Sequence, residues 1–203
     1  MPELGPGPPS PPDKAWALSD NLVTRQALPE AFRYLEAVYP RAQWPALEIH
    51  PTARHWLEVH DWFRGQMTAL GEIGALWREG RIEAADYRGA ATPRLRQMLT
   101  HLHHHHERET RQAFPLLTAA EPRMTEGFAL LDRDHDQIEA LLAGMADDAN
   151  ALLRAGATTD LRPLAGALAD RVERGTRLIN RHLWDEEEIV VPVLTLRGDQ
   201  LAI

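Results

Sequence analysis

Two stretches of the chain carry the same three features at the same spacing. His105 is followed four residues later by Glu109 and ten residues later by Pro115; His182 is followed in the same way by Glu186 and Pro192. Corresponding residues of the two copies are all 77 positions apart. Residues i and i+4 share a helix face, so each His-x-x-x-Glu offers one imidazole and one carboxylate to the same side. A looser echo pairs His60-Asp61 with His135-Asp136, 75 residues later. Three of the histidines lie on apolar stripes: Trp56, His60, Phe63 and Met67; Phe128, Leu131, His135, Ile138 and Leu142; and Leu168, Val172, Ile179, His182, Glu186 and Ile189. A buried carboxylate is costly, and two together repel unless a cation lies between them. Four imidazoles and two carboxylates suit iron, manganese, zinc or copper better than calcium or magnesium. These side chains leave coordination positions open, which points to reactivity rather than a closed structural site.

The elements that must position these residues are helices. Apolar periodicity predicts four long ones: Thr52 to Arg78; Thr92-Pro93 to Phe114-Pro115; Pro122 to Arg154; and Thr159 or Asp160 to Val191-Pro192. No period-two run indicates a strand. The expected fold is all-α, an up-down-up-down four-helix bundle over residues 52–194. Ahead of it, residues 1–13 are rich in proline and glycine and read as a disordered tail. Residues 14–51 read as an extension with a short amphipathic helix from Glu30 to Val38, and residues 195–203 as a C-terminal tail.

Composition narrows the chemistry. Among 203 residues there are ten histidines and no cysteine, which excludes disulfides, thiolate metal sites and cysteine nucleophiles. The formal charge of −8 argues against nucleic acid or an anionic membrane as partner, and no stretch reads as a membrane span or signal peptide. The cytoplasm is the expected location. Ferritin-like di-iron bundles need Glu-x-x-His, but the residues three before the four inward histidines are Leu57, Leu102, Asp132 and Ile179. In the run His103 to His106, the repeat selects His105. His101 is the alternate, and His103, His104 and His106 read as exposed or flanking. The acidic runs Asp132 to Asp136 and Asp185 to Glu188 otherwise read as solvated faces, and Arg64 as an ion-pair partner.

From about Thr52 to Leu194 the pattern resembles the hemerythrin-like, or HHE cation-binding, family. The family's arrangement falls on His60, then His105 and Glu109, then His135, then His182 and Glu186, and the Phe-Pro and Val-Pro endings also look like the family's. The resemblance implies a non-haem centre of two iron ions joined by the two carboxylates and a bridging oxygen, with zinc or manganese as alternatives. It also marks two departures. Oxygen-carrying members have a second histidine where this chain has Glu139, which is either a seventh ligand or an outward-facing side chain. They also take a carboxylate five residues after the last histidine, here Glu187, whereas the internal repeat favours Glu186.

The expected activity is binding of, or reaction with, O2, NO or peroxide, or iron handling under stress. Whether that makes the protein an enzyme is left open. The alternative is a non-redox bundle holding zinc or manganese, or an iron sensor, acting as a regulatory module.

Overall fold

The computed structural model describes residues 21–201. The tail expected over residues 1–13 lies outside them. The described residues form helices and turns with no strand, and no helix is long and apolar enough to cross a membrane. Four long helices build the bundle: α1 (Pro51–Arg78), α2 (Ala84–Arg108), α4 (Thr125–Arg154) and α5 (Arg162–Arg197), with the short α3 (Phe114–Ala120) continuing the line of α2. α1 packs on α2 and α5, and α4 on the same two.

Local chemistry sets the ends of α1. The His50 imidazole accepts the Thr52 N–H at 3.2 Å at its start, ahead of Pro51 in the first turn. Its C-terminus closes on Gly80, at φ +69°, with Gly80 N–H on Trp77 C=O and Arg81 N–H on Leu76 C=O. That pair of bonds satisfies two terminal carbonyls and requires the left-handed residue that glycine supplies.

Three helix limits differ from expectation, each because burial outweighs a proline. α2 begins at Ala84, so Pro93 lies inside it. Thr92 does not cap; its hydroxyl donates back to Arg88 C=O at 2.8 Å. Ala84, Tyr87, Ala91, Leu95, Met98 and Leu102 continue one buried stripe straight through the proline. Likewise α5 runs past Pro192 to Arg197, because Ile189, Val190, Val191, Val193 and Leu194 are all fully buried. At Pro115 the chain takes a wider turn: residues Glu109–Ala113 are π-helical, with Phe114 N–H on Glu109 C=O, and a regular helix resumes at Phe114. The helix expected over Glu30 to Val38 is only a 3-10 turn, Glu30–Phe32, followed by further turns, with Pro29 and Pro40 on either side.

The core falls into two apolar clusters. One joins Phe63, Met67, Leu102, Ile138, Ile179 and Leu183 and continues through Leu70, Tyr87, Leu152 and Ala165 toward the other end of the bundle. The other, at one end, joins Phe114, Phe128, Ile189 and Val193 with Leu28, Leu35, Trp44 and Ile49 of the N-terminal segment. Between them lies a buried polar layer: His60, His106, Glu109, Asp134, His135, His182, Asp185, Glu186 and Glu187 are each at most 5% exposed.

Candidate metal centre

The polar layer sorts into two groups of donor atoms. In the first, one atom each of His60 (α1), His105 (α2), Glu109 (the π turn) and Glu186 (α5) lie within 4.8 Å of one another. In the second, His106 (α2), His135 (α4) and His182 (α5) do the same. The two carboxylates reach across. Glu109 sets Oε1 2.7 Å from His105 Nε2 and Oε2 3.5 Å from His135 Nε2. Glu186 sets Oε1 3.5 Å from His60 Nε2 and Oε2 3.2 Å from His182 Nε2. Each carboxylate therefore gives one oxygen to each group.

Buried polar atoms normally find hydrogen bonds, and these do not. Both nitrogens of His106, both oxygens of Glu109, Nε2 of His135 and His182, and Oε2 of Glu186 have no hydrogen-bond partner. They are seven of the thirteen such side-chain atoms among the described residues. Unpaired imidazole nitrogens and carboxylate oxygens converging in the buried core are what a pair of divalent transition metals requires, so the donor set fits.

A supporting layer holds three rings with Nε2 inward. His60 Nδ1 lies 2.9 Å from Glu187 Oε1, which also takes Arg64 Nη2 at 2.7 Å and whose other oxygen takes Arg41. His135 Nδ1 lies 2.9 Å from Thr110 Oγ1; that hydroxyl donates its proton to Asp132 at 2.6 Å, so it accepts from the ring. His182 Nδ1 lies 3.5 Å from Asp134, which accepts from Arg25. Arg25 also binds Asp185 at 2.8 Å, with all three side chains fully buried. Trp56 Nε1–H donates to Glu186 Oε1 at 2.5 Å.

Electrostatics divide the histidines. Burial pushes His105 and His135 down to about 3 and His106 well below its ordinary value, so all three are neutral near pH 7. Burial also works against protonation of His182 and His60, but carboxylates outweigh it: Asp134 and Glu186 raise His182 to about 9, and Glu186 and Glu187 raise His60. The carboxyls split in the same way. Burial and the neighbouring Glu186 charge hold Glu109 well above the carboxylate range, whereas His60 and His182 overcome burial and hold Glu186 well below it.

Of the residues expected from sequence, His60, His105, Glu109, His135, His182 and Glu186 come together, and Glu139 does not. Its carboxylate is 41% exposed, with Oε1 3.1 Å from His103 Nδ1 and 4.0 Å from His106 Nδ1. His106, read as exposed or flanking, is 3% exposed and stacks on His135 with ring centroids 4.1 Å apart. The missed signal is the stripe itself: Leu95, Met98 and Leu102 continue to His106 as directly as to His105. Asp134, Asp185 and Glu187 are not solvated; each is buried and ion-paired. His101 stands outside both groups, edge-on to Trp62 at 5.2 Å.

A cavity of about 840 Å³ opens between α1 and α2. Trp56, Trp62 and Phe63 line it, and it reaches His105 and Glu109 but none of His106, His135 and His182. Residues 52–194 match the family model described as "Hemerythrin HHE cation binding domain". Comparison with curated proteins and with solved structures gave no match.

Proposed function

The chain belongs to the hemerythrin HHE cation-binding family, and on that premise we propose that it is a non-haem di-iron protein that binds or reacts with O2, NO or peroxide. The observation that carries this reading is the pair of carboxylates, Glu109 and Glu186, each giving one oxygen to both histidine groups. His60 and His105 would hold one ion, and His106, His135 and His182 the other. When bound, a pair of iron ions supplies reversible electron transfer to a small oxidant.

The protein's own residues prepare the reaction. Glu187 and Thr110 anchor the Nδ1 protons of His60 and His135, leaving Nε2 to face inward. Trp56 holds Glu186 in place, while Phe63 and Trp62 make the cavity wall beside His105 apolar. The two-histidine group is the one the cavity reaches, so a small ligand meets the centre there.

Metal analysis of protein purified from iron-replete cells, with its ultraviolet–visible spectrum, tests the reading. The expected result is about two iron atoms per chain and a near-ultraviolet charge-transfer band that changes on anaerobic reduction and again on exposure to O2 or NO. Zinc or manganese with a spectrum indifferent to both gases would favour the non-redox regulatory module. Fully helical, fully stable protein without metal would end both readings.

A further inference from the structure

The histidine run holds a second, outward copy of the liganding motif. His103 and Glu107 have the same i, i+4 spacing as His105 and Glu109 but start two residues earlier. At about 100° per residue the two copies point to roughly opposite faces of α2. The outer copy is a cluster: one atom each of His103, His104 and Glu107 lie within 4.8 Å of one another at the surface. Glu139, from α4, lies beside the cluster, 3.1 Å from His103.

Glu139 also connects this cluster with the interior. The oxygen that meets His103 is 4.0 Å from Nδ1 of His106, whose two nitrogens have no hydrogen bond. The histidines of the three-histidine group do not themselves line the α1–α2 cavity, which stops at Glu109 on the side of the centre. Glu139 stands at the seam where α2 and α4 pack together, on the outer side of His106. An exposed glutamate can exchange rotamers between the two positions without disturbing the core.

We propose that His103, His104 and Glu107 form a surface loading site for divalent first-row transition metals, and that Glu139 passes the captured ion to His106. Imidazole and carboxylate donors suit such ions. Their exposure, and the competing pair of Glu107 with Arg111 at 2.5 Å, make the outer site weaker than the buried one. The proposal rests on the dinuclear reading above.

The test is Co(II) binding to the full chain stripped of metal, followed by visible absorption at equilibrium and in stopped flow. Wild type is expected to bind two equivalents tightly and a third weakly. The double variant His103→Gln/His104→Gln should lose the third, keep the tight two, and fill the second of these on the order of tenfold more slowly, the scale on which supporting side chains alter metal sites. Glu139→Gln should slow the same step while leaving the far-ultraviolet circular dichroism and the final tight stoichiometry unchanged. Filling at the wild-type rate in both variants would overturn the proposal and leave an adventitious surface site only. A wild type that takes up no Co(II) would instead overturn the dinuclear reading itself.

Discussion

The two halves of the centre share their carboxylates but little else. The half built on His60 and His105 has two imidazoles, borders an open cavity, and is backed by Glu187 with two partly exposed arginines, Arg41 and Arg64. The half built on His106, His135 and His182 has three imidazoles and no share of the cavity. It is backed by Asp134 with the fully buried Arg25. More donors and no opening suit a half that retains its ion; fewer donors beside an opening suit a half that takes an external ligand. Both Arg25 and Arg41 come from the segment before residue 52, outside the matched family region. That segment reaches the outer carboxylates of both halves.

Removing what the halves share should have the largest effect. Glu186→Ala takes away an oxygen from each half, and bound metal is expected to fall from about two ions per chain toward none, with the melting temperature falling in parallel. Metal analysis and thermal melting by circular dichroism check this; loss of a single ion would show that Glu186 serves one half only. His106→Ala comes next. It leaves both halves with two imidazoles and should weaken the second ion about 10- to 100-fold while sparing the first, as read by competitive zinc titration. Equal weakening of both ions would erase the distinction between the halves.

The arginines should separate the halves by stability. Arg25→Gln strips the cation from buried Asp134 and from one side of Asp185, which keeps Arg181. Uncompensated buried charge costs about 3–5 kcal/mol. Arg41→Gln should cost about 1.5 kcal/mol or less, because Arg64 still holds Glu187. Urea unfolding of the loaded protein measures both, and an Arg41 variant as unstable as the Arg25 variant would reverse the ranking.

The pieces of this arrangement differ in how far the sequence announces them. The repeat of His105, Glu109 and Pro115 in His182, Glu186 and Pro192 marks the two carboxylates that lie between the histidine groups, because a buried pair of acids leaves a periodic trace. Helix existence is legible from the apolar stripes, and so are the ends at Arg78 and Arg154, but the limits placed at Pro93, Pro115 and Pro192 are not. Thr92-Pro93 carries a start signal and Val191-Pro192 a stop signal, and tertiary burial overrides both. His106 is hidden in the sequence because the repeat marks only its neighbour His105. Two neighbours 100° apart can both point inward when the target is wide enough to hold two groups. Arg64 reads as an ion-pair partner in the sequence and is one, but Arg25 left no trace, since it lies 109 residues from Asp134 and no local pattern links them.

The smallest effect needs no mutation. Each half contains one imidazole whose protonated form is favoured, His60 in one and His182 in the other, among neighbours held neutral by burial. An ion must displace that proton to reach Nε2. For His182, raised to about 9, the proton is present at pH 7 and gone well above pH 9. Affinity of the three-histidine half should therefore climb with pH between about 7 and 9, by about tenfold per unit at most, and then level. Stability of the metal-free chain should move the other way. A raised folded-state value stabilises below the unfolded value of about 6.5 and is lost as pH rises through about 9. Zinc titrations at several pH values, with proton release read in buffers of different ionisation heat, test the first trend. Urea unfolding without metal tests the second. Affinity independent of pH over this window would mean that His182 gives up no proton, and that Asp134 orients a ring already neutral.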